Sequence, residues 1–238
     1  MARGLLPPAV RRRLRLARAW PPRGTLRLGS LRRTKPISRD YGFDRGTPID
    51  RRYIERFLTE HAADVKGRVL EIGDDEYTRQ HGGQRVTKSD VLHASEGNPQ
   101  ATIVADLTDA PQLESGVYDC VICTQTLLLI YDVRAAIATL ERILAPAGVL
   151  LLTVPGVSRI CREEAETWGD WWRFTSMSLG RLLEERFARE AIEVEVYGNV
   201  LTAVAMLHGI AAEELTGGEL DASDPDYEVT LAARVVKR

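Results

Sequence analysis

Three acidic side chains stand at or near the ends of short apolar runs in the first half of the sequence. Glu71 lies in the run RVLEIG, Asp90 in RVTKSDV and Asp106 in ATIVADL. Carboxylate oxygens accept hydrogen bonds, so they suit ribose hydroxyls and the exocyclic amine of a base. Asp90 follows Glu71 by 19 residues, a spacing expected of a ribose-binding acid in a nucleoside-binding unit. Gly73 lets the backbone approach a ligand closely. The pattern predicts a nucleoside site.

A scaffold that brings strand ends together is needed to position these acids. Apolar runs predict seven strands, and most are separated by stretches with helical spacing. The predicted strands are residues 68–73, 85–91, 101–107, 118–125, 148–156, 192–198 and 226–236. This alternation favours an α/β fold with a mostly parallel sheet. In such sheets ligands bind beyond the carboxyl ends of the strands.

Apolar spacing also predicts the main helices. The first begins at TPID, with Thr47 as N-cap, Pro48 in the first turn and Asp50 as the capping-box acid, and its apolar face continues to Val65. The later helices cover residues 133–144, stopped by AlaProAlaGly at 145–148, and residues 178–188 and 200–215. The segment between the fifth strand and the third of these helices is expected to be an aromatic-rich loop.

The cysteines indicate packing rather than a metal centre. Cys120 and Cys123 form a C-x-x-C within a predicted strand, and strand residues three apart point to opposite faces. They are therefore poorly placed to share a metal ion or a disulfide, and no metal site is predicted. With three cysteines in 238 residues, the chain is expected in a reducing, cytoplasmic compartment.

The overall composition, 44% hydrophobic and 28% charged residues, is that of a globular protein and excludes fibrous or wholly disordered classes. The net charge of −2 conceals an asymmetry. Residues 1–40 hold 12 Lys and Arg but one acid, whereas residues 41–238 hold 33 acids and 20 bases. We therefore expect a basic tail at 1–40 and an acidic domain at 41–238. An acidic domain argues against a DNA-coating surface.

Three interpretations of the tail stay open, the least favoured being a contact with nucleic acid. One is a solvated, partly disordered segment. Another is a short amphipathic helix, with Val10, Leu14 and Ala17 at helical spacing, that contacts an anionic surface or a partner protein. No apolar run reaches the length of a membrane span, and the basic start lacks the apolar stretch of a signal peptide.

The motifs together resemble the class I S-adenosylmethionine-dependent methyltransferases. The similarity extends over roughly residues 45–238 and is strongest from YDCVICTQTLLLI to LAPAGVLLLTVPG. It implies a Rossmann-like, seven-stranded, mostly parallel sheet with helices on both faces and an antiparallel last strand. It also implies S-adenosylmethionine as cofactor, with S-adenosylhomocysteine as product.

The resemblance assigns cofactor contacts to the residues at the strand ends. It implies that Glu71 and Gly73 form the first cofactor motif and that Asp90 binds the ribose hydroxyls. It also implies that Asp106 and Leu107 bind the adenine, and that Thr124 and Gln125 face the methionine end. The chain departs from the family where Gly73 is followed by Asp74-Asp75-Glu76-Tyr77 in place of further glycines. Tyr77 and Thr78 are candidates to replace the missing contacts, Asp74 is a further candidate cofactor contact, and the helix at 74–84 is expected to be short or absent. The segment 41–66 is either a lid, with Tyr41, Arg45 and Tyr53 facing the cofactor, or a helix covering the sheet.

An alcohol acceptor would need a general base. The candidate catalytic residues are Asp170 and His208, while His81 and His93 lie near the cofactor motifs. Three tryptophans beside Asp170 form either a lid and acceptor pocket or simple packing.

We therefore expect methylation of an oxygen on a small molecule or glycan. The alternative is a non-catalytic accessory or binding protein with this fold, and a homodimer is an open possibility. A nicotinamide oxidoreductase is disfavoured because G-x-G-x-x-G is missing after the first strand. Thr124-Gln125-Thr126-Leu127 does not match the motif of DNA amino-methylating enzymes, so DNA is not an expected partner.

Overall fold

The structure is a computed structural model that describes Val10, Thr25, Arg27 and residues 29–238. The chain divides into two units, Met1–Pro36 and Ile37–Arg238. The described part of the first contains a single 3-10 turn at Gly29–Leu31. The predicted amphipathic helix lies outside the described residues apart from Val10, so the tail at 1–40 stays a prediction.

The second unit is built on one seven-stranded sheet with the order β3-β2-β1-β4-β5-β7-β6. The strands are β1 Gly67–Ile72, β2 Val86–His93, β3 Ile103–Val104, β4 Tyr118–Thr124, β5 Leu144–Pro155, β6 Ile192–Tyr197 and β7 Thr230–Val236. Strands β1 to β5 pair in parallel. Strand β7 runs antiparallel between β5 and β6. The predicted Rossmann-like fold is confirmed.

Helices cover both faces of the sheet. They are α1 Ile49–Glu60, α2 Val133–Ile143, α3 Arg162–Thr167, α4 Ser176–Glu184, α5 Val200–His208 and α6 Gly217–Asp221. Phe57 of α1 and Ala205 of α5 belong to one buried cluster, whereas Leu140 of α2 and Leu183 of α4 belong to another. Within the described residues, no helix has both the length and the apolar character needed to cross a bilayer.

Strand β4 shows why the two clusters are separate. Cys120 and Ile122 pack in the cluster of α1, whereas Val121 and Cys123 pack in the cluster of α2. This is the alternation of a strand buried on both sides. Both cysteines are buried and form no disulfide. Because they pack in different clusters, the prediction that they face opposite sides of the sheet is confirmed.

Strand lengths differ from the prediction at three places that matter for the site. Strand β2 extends to His93, where it pairs with Val104. Strand β3 is only two residues long, because Asp106 already turns the chain through a bridge with Asp109. Strand β5 includes the stretch 145–148 that was predicted as a helix stop.

Two helices also begin or end differently from the prediction. Helix α1 starts at Ile49 with Pro48 in the N-cap position, because the Thr47 hydroxyl donates to Glu213 instead. Helix α5 ends at His208, where Gly209 adopts φ +65°, so residues 200–215 are not one helix. The predicted loop after β5 contains the short helix α3. The stretch after β1 holds only short π and 3-10 turns, as expected.

Candidate functional site

A cavity of about 690 Å³ opens at the carboxyl ends of β1 to β4. Its volume lies within the usual range for small-molecule sites. The strand ends contribute Gly73, His93, Asp106, Leu107 and Thr126, and the opposite wall consists of Tyr131, Asp132, Glu164, Trp168 and Trp171. Parallel strands that end at one edge therefore bring together residues far apart in sequence, as this topology requires.

The structure places few of the predicted site residues at this cavity. Gly73, Asp106 and Leu107 line it. The predicted residues that do not line it are Tyr53, Glu71, Asp74, Tyr77, Asp90, Thr124, Gln125, Asp170 and His208. Each of these has a different structural reason.

Gly73 forms an open cradle after β1. Its φ of +100° disfavours any residue with a side chain. Its N–H donates to Leu92 O at 2.9 Å, and its carbonyl accepts from Asn98 Nδ2 at 2.6 Å. A Cβ at this position would meet no atom within 4 Å. The backbone is thus held rigidly beside open space that a ligand can approach.

Asp106 carries its carboxylate on the tight turn after β3. Oδ1 accepts from the Thr108 N–H at 2.8 Å, and the Asp106 carbonyl accepts from the Asp109 N–H at 3.0 Å. Within the described residues, Oδ2 receives no hydrogen bond. Leu107 beside it is buried and lines the cavity. The pair offers one acceptor and one apolar surface.

Glu71 supports the turn after β1 instead of lining the cavity. Its buried carboxylate accepts from the Tyr77 N–H at 3.1 Å, and from the Thr78 N–H and hydroxyl at 2.7 Å each. Burial raises the pKa of Glu71 to about 7, although these three hydrogen bonds act in the other direction. The carboxylate therefore holds the backbone of this turn, whose shape further glycines would otherwise have allowed.

Asp74 and Tyr77 also act within this turn. Asp74 Oδ1 accepts from the Glu76 N–H at 2.8 Å. The buried Tyr77 hydroxyl accepts from Arg51, whose guanidinium lies 5.4 Å from the ring centroid. Burial raises the pKa of Tyr77 to about 12. Neither side chain faces the cavity.

Asp90 was predicted at the end of β2, but it lies three residues before that end, opposite Leu70. Its buried carboxylate lies 2.9 Å from Arg68 Nε, 3.2 Å from Lys88 Nζ and 3.3 Å from the Tyr118 hydroxyl. The strand-end position near Gly73 belongs to His93 instead. The error arose because the apolar run VLH extends β2 beyond the acid.

The end of β4 is strained. Gln125 has φ +46°, a left-handed conformation that costs a non-glycine residue about 1–3 kcal/mol. Its N–H donates to Thr153 O at 2.9 Å, while its buried side-chain Nε2 has no partner among the described residues. The Thr124 carbonyl accepts from the Thr126 hydroxyl at 3.0 Å. Gln125 therefore combines a strained backbone with an unsatisfied buried donor, but it lies outside the cavity lining.

Asp170 clamps the loop after β5 and does not line the cavity, so its catalytic role stays a prediction. Its carboxylate, 1% exposed, pairs with Arg173 and accepts from the Cys161 N–H at 3.0 Å. Burial opposes its ionisation, but the Arg173 and Cys161 hydrogen bonds outweigh burial and lower its pKa. A carboxylate held in its charged form in this way is a weak proton acceptor.

His208 and Tyr53 lie away from the cavity. The His208 carbonyl accepts from the N–H groups of Ile37 and Ser38 at 2.9 and 3.0 Å, so this last residue of α5 fastens the entering chain. Tyr53 is buried on α1, where it stacks on Tyr197 at 5.5 Å and donates to Leu220 O at 3.0 Å. Neither residue lines the cavity, and the buried His208 Nδ1 has no hydrogen-bond partner among the described residues.

No residue of the predicted lid at 41–66 lines the cavity. Tyr41 lies beneath the Arg159 guanidinium, 3.8 Å from the ring centroid, and Arg45 Nε donates to Glu214 at 2.9 Å. Burial also raises the pKa of Tyr41. The segment packs on the loop after β5 and on the turn after α5, and its role as a lid stays a prediction.

Sequence reasoning left His93 uncommitted, although the structure gives it a central place. His93 Nδ1 lies 2.7 Å from the Ser95 carbonyl oxygen and 3.3 Å from the Ser95 backbone nitrogen. The other ring nitrogen, Nε2, has no hydrogen-bond partner among the described residues. Trp168 meets the ring edge-on at 5.8 Å. Its signal in the sequence was its place just before the polar turn after β2.

An aromatic wall faces the strand ends. Tyr131 meets Trp171 edge-on at 5.2 Å and stacks with Trp172 at 5.9 Å. The Trp172 indole N–H donates to Ile130 O at 3.0 Å, and the Trp171 N–H donates to Leu128 O at 2.8 Å. Of the two predicted alternatives for the tryptophans, Trp172 packs the loop down, whereas Trp168 and Trp171 line the cavity.

Comparisons with known proteins agree with this geometry. A family profile described as "Methyltransferase domain" matches residues 48–191, more than half of the chain. No curated protein matches the sequence.

Solved structures share the fold at low sequence identity. An S-adenosylmethionine-dependent methyltransferase from Mesorhizobium loti is 16% identical with a TM-score of 0.54, covering 82% of this chain and 100% of its own. The N-methyltransferase NodS from Bradyrhizobium japonicum, in complex with S-adenosyl-L-homocysteine, is 16% identical with a TM-score of 0.50, covering 81% and 89%. A SAM-dependent methyltransferase from Archaeoglobus fulgidus is 13% identical with a TM-score of 0.50, covering 79% and 90%.

Proposed function

The chain belongs to the methyltransferase-domain family of class I, S-adenosylmethionine-dependent enzymes, and we propose that it methylates a small molecule bound in the cavity at the carboxyl ends of β1 to β4. The observation that carries this proposal is the convergence of Gly73, Asp106 and Leu107 on one 690 Å³ cavity. These residues come from two separate strand ends, and ligands of this fold bind at that edge.

The residues present fit S-adenosylmethionine. Gly73 leaves open space beside a rigid backbone, and Asp106 Oδ2 is an unused acceptor. His93 lines the cavity at the end of β2, where a ribose acid was expected. When bound, the cofactor supplies a methyl group activated on a sulfonium. The protein's own part is to bind, orient and exclude water.

The acceptor proposed from the sequence is an oxygen on a small molecule or glycan, which needs a base within hydrogen-bond reach. Asp170 pairs with Arg173, and neither Asp170 nor His208, the predicted bases, lines the cavity. The cavity itself is lined by four groups that can accept a proton: His93, Asp106, Asp132 and Glu164. The support for a small acceptor is the cavity's size and its aromatic wall.

The alternative, a non-catalytic protein with this fold, is supported by the turn after β1. That turn lacks further glycines, and Glu71 is used up in holding it. The two functions separate by turnover, since a binding protein would take up S-adenosylhomocysteine without transferring a methyl group.

Compartment and partners are further proposals. We propose a cytoplasmic location because three cysteines in 238 residues do not make a disulfide framework. The basic segment 1–40, with 12 Lys and Arg against one acid, is proposed to contact an anionic surface or a partner protein. A homodimer stays an open prediction.

The test is a calorimetric titration of the full chain with S-adenosylmethionine and S-adenosylhomocysteine. We expect micromolar binding that Asp106→Asn weakens about tenfold, since loss of a hydrogen bond to a charged group costs about 1.5–3 kcal/mol. Asn retains the turn hydrogen bond to Thr108. Asp109→Asn, an exposed acid of the same turn outside the cavity, is the matched control. A well-folded protein without binding would contradict the proposal.

A further inference from the structure

We propose that the acceptor presents an amine to the cavity wall formed by Tyr131, Asp132, Glu164, Trp168 and Trp171. This inference rests on the proposed function, and it replaces the oxygen acceptor expected from the sequence with a nitrogen acceptor. We call these five residues the acceptor wall. They come from the loop after β4 and from the loop after β5, opposite the strand ends that suit the cofactor.

The first observation is the exposure of the aromatic rings. Tyr131 is 68% exposed and Trp171 54%, although they contact each other at 5.2 Å. The Trp171 backbone N–H donates to Leu128 O, and Tyr131 directly precedes Asp132, the N-cap residue of α2. The faces of tyrosine and tryptophan attract cations, and most strongly where water is excluded.

The second observation is the sign of the charge. Asp132 and Glu164 lie in the acceptor wall and Asp106 lies opposite, while no Lys or Arg lines the cavity in the described part of the chain. Neither Asp132 nor Glu164 forms an ion pair within that part. The nearby Arg173 is neutralised by Asp170. The cavity therefore has an uncompensated negative lining.

These two features distinguish acceptor classes. A neutral amine uses its nitrogen lone pair to form the new N–C bond while the S–C bond breaks, and that electron pair stays on sulfur as a thioether. The positive charge then resides on nitrogen, where carboxylates and aromatic faces stabilise it. The ammonium proton leaves afterwards to a carboxylate or to water. An alkoxide, phenolate or carboxylate acceptor would instead be repelled by the same side chains.

The test uses tetramethylammonium as the probe and tert-butanol as its neutral counterpart of similar shape. Both are titrated into the full chain saturated with S-adenosylhomocysteine, with tryptophan fluorescence as the readout. We expect saturable quenching by tetramethylammonium at a concentration at least tenfold below that of tert-butanol. Equal affinity for the two probes, or no saturable ammonium binding, would overturn the proposal.

Charge variants locate the effect. Asp132→Asn keeps the N-cap bond to the Ala135 N–H, which is 3.0 Å long, because Asn is an equally good cap. Together with Glu164→Gln it should weaken tetramethylammonium binding at least fivefold. Glu163→Gln, the adjacent acid of α3 outside the cavity, should leave binding unchanged. An equal effect of Glu163→Gln would show a general surface charge and overturn the assignment.

The two proposals fail separately. If S-adenosylhomocysteine does not bind, the proposed function fails, and the ammonium titration of the protein alone still tests the acceptor wall. If S-adenosylhomocysteine binds but tetramethylammonium does not, the methyltransferase assignment stands and the amine class is overturned.

Discussion

Asp90 and Arg68 form a salt bridge between neighbouring strands, with Asp90 Oδ2 lying 2.9 Å from Arg68 Nε. The carboxylate is 5% exposed, the guanidinium 27%, and the latter also lies 4.8 Å from the Tyr118 ring centroid. A buried acid at this spacing after Glu71 had indicated a ribose contact. The structure uses it to join β1 and β2 inside the sheet.

The Asp90→Asn substitution should therefore affect stability rather than cofactor binding. Removing the charge leaves Arg68 and Lys88 without their partner, which should lower the free energy of unfolding by about 1–3 kcal/mol. The affinity for S-adenosylhomocysteine should stay within twofold. Urea denaturation and calorimetric titration of the same preparation measure both quantities. A tenfold affinity loss at unchanged stability would restore the ribose role.

Glu71 should make the stability of the fold depend on pH. Its pKa rises from 4.5 to about 7 on folding, so the folded state binds more protons than the unfolded state between these values. The free energy of unfolding therefore falls as pH rises from about 4.5 to 7, by about 3 kcal/mol at most from this group. Burial lowers the pKa of His81, so the contribution of His81 to the free energy of unfolding rises with pH, opposite to that of Glu71.

A comparison of variants isolates the Glu71 contribution. Urea unfolding of the wild type and Glu71→Gln at pH 5 and pH 7.5 should show the fall with pH only in the wild type, because an amide does not ionise. Glu71→Gln should be less stable at pH 5, since it loses an acceptor for Thr78. The exposed Glu76→Gln, in the same turn, should keep the wild-type slope. An unchanged slope in Glu71→Gln would contradict the assignment.

The sheet could be predicted from the sequence because its signal is local. Buried runs such as GVLLLTVP need no knowledge of their neighbours, and seven of them fix the class of fold. Helix α2 was equally local, since its apolar face repeats regularly and Asp132 caps it. Boundaries failed where tertiary contacts decided them, as at Thr47, whose hydroxyl goes to a glutamate in the turn after α5.

The candidate site was only partly predictable, for a different reason. A carboxylate near a strand end has several partners available, and the choice depends on residues brought close by folding. Asp90 on β2 pairs with Arg68 on the neighbouring strand β1. Asp170 pairs with Arg173 within a loop whose path the sequence does not specify. Asp106 and Gly73 kept their predicted places because the turns that hold them are short and self-contained.

Gly73→Ala should test whether the open space after β1 belongs to the ligand. The backbone φ of +100° strains any side chain, so the free energy of unfolding should fall by about 1–3 kcal/mol. The added methyl group meets no protein atom within 4 Å. A loss of cofactor affinity must therefore arise from a clash between this methyl group and the ligand. S-adenosylhomocysteine should bind at least tenfold more weakly. Gly83→Ala, at φ +55° with equally open surroundings outside the cavity, is the control, and its affinity should match the wild type.

The Asp170→Asn substitution should show a clamp rather than a general base. Its hydrogen-bonded pairing with Arg173 keeps the carboxylate ionised and therefore a weak proton acceptor, so its loss should act through the position of Trp168 and Trp171. Once an acceptor is known, we expect KM to rise up to about tenfold, kcat to stay within threefold, and the pH–rate profile to keep its shape. Glu166→Gln, an exposed acid of the neighbouring helix α3, should leave both constants unchanged. A fall in kcat of a thousandfold with loss of the acidic limb, in a variant that still melts cooperatively, would instead identify Asp170 as the base.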